Sequence, residues 1–509
     1  MQQRQFRRCR LSPITDLSLA DFRAAAAVDW RAAVLHGEVS CVELTSTALT
    51  AAATLHRLGA FAELDPEFAL ARAEQQDATV AALRRRGGSS AAQDLAARAP
   101  LTGLPTAFKD LVPVAGLPLR LGTRAVPENV PAADHRLAGR THRAGAISIG
   151  KTQVPEFGLP CYTENQLAEP ARNPLDPSRT PGGSTGGGAA AVAAGILPFA
   201  PGNDGGGSVR IPAAACGLVG LKPGRGRLPD DGPSASVRNL VTSGPLASSA
   251  EDAALLFDVM AGHRFTPARG RPRSAAQLAE GPAMRRVRQA LQDGLGTLSI
   301  GVTTESPFSP DLDIVLAEDA VLALEAGISA LAAAGHVVQG TDHCTGADPF
   351  WPRGYHHNFR ALWTSGLADA PFSDEQLEVL EPLTRHFVET ARSRGQDHTQ
   401  AAVGALQEFA DSAEEILGPW DVLMTPMLAS VPPPVGWFAG LEPEQNYLEQ
   451  CRFTPYSSVV NVLGLPAVSV PVHTSDDGLS WSVQLIGGHR SEELLLALAG
   501  QMMERSPRH

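Results

Sequence analysis

Between Pro181 and Arg210 the chain reads PGGSTGGGAAAVAAGILPFAPGNDGGGSVR, two glycine clusters that each hold one serine, Ser184 and Ser208, around a short alanine-rich stretch. Ten of these thirty residues are glycine. Glycine lacks the Cβ that bars positive φ and lets main chain approach a substrate closely, so GGS and GGGS runs can present backbone N–H groups around a hydroxyl. A flexible linker also favours Gly and Ser, but it has no apolar content. Here AAAVAAGIL is an apolar helix-forming run, and SVRIPAAACGLVGL continues apolar after Ser208. The segment therefore reads as ordered structure carrying two hydroxyls in backbone-rich turns.

Lysine usage adds a second constraint. Of 42 basic side chains only Lys109, Lys151 and Lys222 are lysine, and all three flank or adjoin the serine-glycine region. Arginine keeps its proton in a protein, whereas a buried lysine amine can become a neutral base. Lys109 sits in LTGLPTAFKDLVPVAGLP, where apolar TAF precedes it and LVPV follows, which predicts a strand entering the core. A desolvated amine there has the lowered pKa that a general base near neutral pH requires. Lys151 and Lys222 fit a salt-bridge role or survival by chance.

A chain of 509 residues can bury a large core, as one big α/β unit or as two to three domains. The net charge of −12 argues against a general nucleic-acid or anionic-membrane binder. Six cysteines without CxxC or metal-ligand spacing read as reduced, packed thiols of a cytoplasmic protein. The basic N-terminus runs into Asp16 and Asp21 rather than an apolar stretch, so no secretory signal is expected. The longest uncharged run, Phe453–Ser475, contains three prolines and reads as core strands and loops, not a membrane span.

The pattern sets off a short tail, 1–13, from the rest of the chain. Residues 14–100 are predicted helical from their i, i+3/i+4 apolar spacing. From 100 to 265 short apolar runs alternate with helices and Gly-rich turns, the core of an α/β sheet. Residues 265–297 are Arg-, Pro- and Gln-rich and read as a surface excursion. LSIGV, a helix over Asp319–Ala334 with Val321, Leu324, Ile328 and Leu331 on one face, and HVVQ then resume the α/β pattern. Helices follow from 355 to 416, and DVLMTPML and GLPAVSVPV close the sheet.

Two motif matches fail on context. GAISIGKT, Gly145 to Thr152, fits a phosphate-loop pattern, but a helix-like segment precedes it and AISI itself reads as the strand. GGSTG, Gly182 to Gly186, fits a nucleophile elbow with His473 or His489 downstream, but a polar, proline-broken loop precedes it where an apolar strand is needed. His356 and His357 are adjacent and leave a helix on different faces, which argues against a shared metal site.

A third set of motifs is specific. FKDL, IGKTQVPEFG, RNPLDPSRTPGGSTGGGAAAVAAG, GNDGGGSVRIPAAACGLVGLKPGRGRLP and GPLASSAEDAALLFDVMAG, with MTPMLASVPPPVG and GLPAVSVPV near the end, together resemble the amidase signature family of hydrolases. The resemblance implies a single α/β domain over 14–505, with a large central mixed β-sheet flanked by helices on both faces and a variable helical region over about 265–416 that shapes the substrate site. It also implies a Ser–cis-Ser–Lys triad of Ser208, Ser184 and Lys109, with a cis peptide before Ser184. The activity implied is hydrolysis of a small-molecule carboxamide through a Ser208 acyl-enzyme, with no metal or other cofactor; a homodimer is compatible with it.

The physics of the residues agrees. N–H groups of Gly205, Gly206, Gly207 and Ser208 can converge on a developing oxyanion, and Ser184 can relay a proton between Ser208 and neutral Lys109. Asp204 and Arg210 bracket the nucleophile as a buried pair that would fix the loop. Thr185, Asn203 and Gly205 depart from the family's commoner residues. IPA rather than QPA after Arg210 points away from the A subunit of glutamyl-tRNA amidotransferase. Two alternatives stay open: such a subunit releasing ammonia for a partner, and an α/β-hydrolase-like esterase with Ser184 as nucleophile. For the substrate pocket, Phe350 and Trp351 precede Pro352 in a loop and are the candidates. Tyr355, Phe359 and Trp363, spaced i, i+4, i+8, read as a helix face turned to the core.

Overall fold

A computed structural model describes residues 17–229, 236–267, 278–341 and 351–505. The tail 1–13, part of the Arg-rich excursion and Phe350 lie outside the described residues. The apolar runs form thirteen strands among the described residues. They are β1 (Phe61–Leu64), β2 (Pro105–Lys109), β3 (Ile147–Thr152), β4 (Phe199–Asp204), β5 (Val219–Lys222), β6 (Thr242–Ala247), β7 (Thr266–Pro267), β8 (Ala279–Glu280), β9 (Ser299–Val302), β10 (Val337–Gly340), β11 (Val422–Pro426), β12 (Ala467–Thr474) and β13 (Ser480–Gly487).

Eight of these strands make one mixed sheet in the order β10-β9-β11-β13-β12-β5-β6-β4. The pairs of β9 with β10 and β11 are parallel, and the remaining ladders are antiparallel. Strands β1, β3 and β2 form a separate small sheet, whose β2 packs beside β4 at the edge of the large one. The two C-terminal runs expected to complete the sheet, DVLMTPML and GLPAVSVPV, supply β11 and β12. The β12–β13 hairpin inserts between β11 and β5, so the last part of the chain builds the middle of the sheet.

Period-two alternation explains why this sheet is covered on both faces. Val468, Val470, Val483 and Leu485 point into the main core, while Ala467, Ile486 and Leu423 join a second buried cluster with Tyr355, Phe387 and Val460. Helices Ala250–Met260, Pro282–Asp293, Glu318–Ala333 and Glu492–Arg505 pack together over the first face. In the third of these Leu324 and Leu331 are buried as predicted, but Val321 is exposed. Small residues, Ala320, Ala323, Gly327 and Ala330, make up the rest of the buried face and let the helix sit close. Pro282–Asp293 was read as surface excursion. Its stripe of Ala283, Met284, Val287 and Ala290 is buried, masked in the sequence by interleaved arginines.

The predicted N-terminal helices form at Leu19–Ala24, Ala27–His36, Cys41–Thr54 and Pro66–Arg98, interrupted by the short β1. Ser40 and Glu43 cap the third reciprocally: the Glu43 N–H donates to Ser40 Oγ at 3.0 Å and the Ser40 N–H to Glu43 Oε2 at 2.7 Å. Among the described residues no helix is long and apolar enough to cross a membrane.

The helix Gly186–Ala193 begins on three glycines because it enters where β1 and β3 meet. The Gln153 N–H donates to Ala60 O at 2.9 Å, and a Cβ on Gly187 would stand 2.5 Å from both atoms. Gly187→Ala is therefore expected to lower unfolding stability by about 1–3 kcal/mol through overpacking. Urea titration should show a lower midpoint with an unchanged slope; an unchanged midpoint would contradict the close approach.

Candidate active site

Lys109 ends β2, fully buried, and its amine points across to the end of β4. Its Nζ lies 2.8 Å from Ser184 Oγ, 2.7 Å from Asn203 Oδ1 and 3.3 Å from Asn203 O. Ser184 Oγ in turn lies 3.0 Å from Ser208 Oγ. The peptide Gly183–Ser184 is cis. The three predicted triad residues thus form one continuous hydrogen-bonded chain, although Lys109, Ser184 and Ser208 come from three separate segments. The Thr185 N–H donates to Ser208 O at 3.2 Å and ties the two serine turns together.

Burial pushes the Lys109 amine down to about 7, with Asp204 acting in the opposite direction. Asp204 pairs with Arg210 at 2.9 Å, both wholly buried. Burial alone would raise the Asp204 carboxyl, but the Arg210 guanidinium, hydrogen bonds to it, Lys222 and Asn461 hold it well below the usual carboxylate range. The N–H groups of Gly207, Val209 and Arg210 donate to the same carboxylate at 2.8, 3.1 and 3.4 Å. This refines the predicted oxyanion set. The Gly207 N–H is committed to Asp204, which leaves those of Gly205, Gly206 and Ser208.

Sequence reasoning missed the outer partners of Arg210: Gln484 Oε1 at 2.6 Å, Asn461 Oδ1 at 2.6 Å and Ser457 O at 2.9 Å. A signal existed. Asn461 in SSVVNVLGL and Gln484 in WSVQLIG are lone amides inside apolar runs, and buried amides need partners. The rejected motifs resolve as ordinary structure: Lys151 on β3 pairs with buried Asp110 at 2.9 Å, and His473 meets Asp319 at 3.1 Å. Lys222 donates to Pro223 O at 2.7 Å. Among the described residues no group of three His, Cys, Asp or Glu side chains could hold a metal ion.

A cavity opens beside Ser208, and its walls include Gly206, Phe359, Trp363, Phe387 and Tyr447. Phe359 and Trp363, read from sequence as core, face this cavity, while the described member of the predicted pocket pair, Trp351, does not line it. Trp351 is 4% exposed and packs edge-to-face on Phe409 with centroids 6.2 Å apart.

Two serines and a buried lysine thus meet in one hydrogen-bonded chain on an α/β fold. The amidase family model matches residues 43–496, and the chain belongs to that family. It is similar to AmiB2 of Mycobacterium tuberculosis, 35% identical over 430 residues that cover 83% of this chain and 87% of the relative. An acylamidase of Rhodococcus erythropolis is 31% identical over 413 residues, covering 79% of this chain and 80% of its own. The solved structure of 6-aminohexanoate cyclic dimer hydrolase superposes with a TM-score of 0.78 at 27% identity, covering 96% of this chain and 98% of that one. The fold is that of the amidase signature enzymes, and the protein is a carboxamide-hydrolysing amidase.

Because Trp351 is core and not pocket wall, Trp351→Ala is expected to cost about 3–5 kcal/mol of stability. Relative kcat/KM across an amide panel should stay unchanged. A changed ranking with wild-type stability would reverse this placement.

Proposed function

We propose that Ser208 is the nucleophile of this amidase, Ser184 the proton relay and Lys109 the base. The observation that carries this reading is the chain Lys109 Nζ–Ser184 Oγ–Ser208 Oγ, 2.8 and 3.0 Å, with Ser208 at the cavity. In the free enzyme the neutral amine offers a lone pair to the Ser184 hydroxyl, which accepts from Ser208. As Ser208 Oγ bonds to the amide carbon, its proton passes to Ser184 and that of Ser184 to Lys109. The carbonyl oxygen becomes an oxyanion held by N–H groups of Gly205, Gly206 and Ser208; losing one such donor costs about 3–4 kcal/mol of barrier. Ser184 then delivers a proton to the leaving nitrogen as the C–N bond breaks, and Lys109 restores the proton on Ser184. Water repeats the sequence on the acyl-enzyme and frees the acid.

Asp204 and Arg210 hold the turn and take no proton. Residues 100–265 act as the catalytic core and 265–416 as the part that shapes the substrate site. The substrate is a small-molecule amide, and the buried free thiols of Cys41, Cys161, Cys216 and Cys451 support a cytoplasmic setting.

A fluorophosphonate probe followed by peptide mass spectrometry should label Ser208 in the GNDGGGSVR peptide; label on Ser184 would overturn the assignment. The chain alone, without a partner, should release amine from simple amides. Lys109→Arg, which cannot deprotonate, should lower kcat/KM by about 10²–10⁴. For the wild type the base is protonated below its pKa, so kcat/KM should fall with decreasing pH through about 7 and level off on the alkaline side. A flat profile across neutrality would remove Lys109 from the role of base.

A further inference from the structure

Gly205 is glycine for lack of space, not for lack of an allowed backbone. Its φ lies outside the left-handed region, yet a Cβ there would stand 2.8 Å from Cζ3 and 3.0 Å from Cη2 of the Trp363 indole. Val241 is the other neighbour, at 3.0 Å, and is itself exposed and free to yield. At the next residue, Gly206, a Cβ would meet the Phe359 ring tip at 3.3 Å. The helix Tyr355–Trp363 therefore lays its aromatic stripe directly on the turn that carries the candidate oxyanion donors. Its rings are parallel: Tyr355 to Phe359 and Phe359 to Trp363 are stacked with centroids 6.0 Å apart and interplanar angles of 8° and 15°.

The rest of the cavity gives a bound group nothing charged to pair with. None of its described lining residues is Asp, Glu, Lys, Arg or His. Its neutral polar side chains each already make a hydrogen bond within the protein: the amide of Gln450 with the Cys161 N–H and Asn446, Thr454 Oγ1 with Gln450 O, Ser457 Oγ with Gly206 O, and Ser458 Oγ with the Tyr355 hydroxyl. A charged substituent entering here would lose its hydration with no opposite charge to replace it, whereas a flat apolar one can lie against the indole and phenyl faces.

We propose that the substrate of this amidase carries an uncharged aryl group next to its scissile amide. The Gly205–Trp363 pair sets the width of the slot that receives it. The proposal rests on reading Ser208 as the nucleophile, and the test separates the two. It measures kcat/KM in two series of amides, one varying the acyl group on a fixed amine and one varying the amine on a fixed acyl group, each with phenyl, cyclohexyl, naphthyl, carboxylate and ammonium members.

For the wild type, phenyl should exceed both charged members by at least about 10²-fold in one series, the scale on which pocket contacts discriminate. Gly205→Ala should push the indole into the slot and lower phenyl turnover about tenfold or more. Trp363→Ala should raise naphthyl relative to phenyl by about tenfold. The combination of Gly205→Ala with Trp363→Ala should behave like Trp363→Ala alone, because the clash is gone. If Trp363→Ala proves unstable, Trp363→Leu serves the same purpose. Charged members matching phenyl in both series would overturn the proposal. So would an unchanged naphthyl-to-phenyl ratio, or a double variant no better than Gly205→Ala. Fluorophosphonate labelling is run on every variant: Ser208 labelled with an unchanged ranking defeats only this inference, whereas label elsewhere defeats the mechanism beneath it.

Discussion

The site depends on one buried ion pair. All five N–H donors of Arg210 are used, two on Asp204 and one each on Gln484, Asn461 and Ser457 O. Asp204 in turn gathers three backbone N–H groups of the turn around Ser208. Burying two ions costs several kcal/mol each, and their mutual attraction offsets this only when the remaining donors and lone pairs are satisfied. Here they are satisfied by groups from β13, from the helix Ser458–Leu463 and from the turn itself. The nucleophile turn is thereby fixed to the centre of the sheet rather than left as a loop at its edge. Lysine in place of Arg210 would supply three donors from one point and could not span these partners.

The same pair conditions the base. Lys109 feels the Asp204 charge, which favours its ammonium form, yet burial dominates and the amine stays near neutrality. An Asp204 without Arg210 would present an uncompensated carboxylate to the amine and hold its proton. Arg210 consumes that charge, so structural rigidity and base strength come from one arrangement. Asn203 Oδ1 and O complete it by accepting two N–H bonds of Lys109, which aims the remaining valence of nitrogen at Ser184.

Much of the site was legible because its signals are local. Glycine density, the serine in each cluster, and a lysine ending an apolar run single out Ser184, Ser208 and Lys109 as candidates without reference to the fold, and the family resemblance orders them. What stayed hidden was relational. Gln484 and Asn461 lie more than 250 residues from Arg210 in the chain. Spacing alone does not reveal that β12 and β13 enter the middle of the sheet. The aromatic stripe shows the limit most clearly. Periodicity correctly put Tyr355, Phe359 and Trp363 on one face, but a helix face turned inward can meet a sheet or a catalytic turn, and the pattern is identical for both. Loop position likewise suggested accessibility for Trp351, while its indole buries against Phe409. Gly207 fell out of the oxyanion set because its N–H is drawn to a carboxylate three residues earlier.

The scarcity of lysine can now be given a physical cause. All three lysines are buried, and burial lowers the amine pKa of each. Arginine at these positions would keep a full charge where solvation is lost. For Lys109 that would abolish the lone pair. For Lys151 the charge is matched by Asp110, so its identity matters less for proton transfer than for the fit of a compact ammonium between two strands. Lys222 is the most telling: burial and the nearby Arg210 push it down to about 7, and its amine donates to Pro223 O. A second permanent cation there would compete with Arg210 for Asp204 and loosen the turn. A group able to shed its proton adds less charge beside the Arg210 guanidinium than arginine would, and leaves Asp204 to the pair on which the nucleophile turn is built.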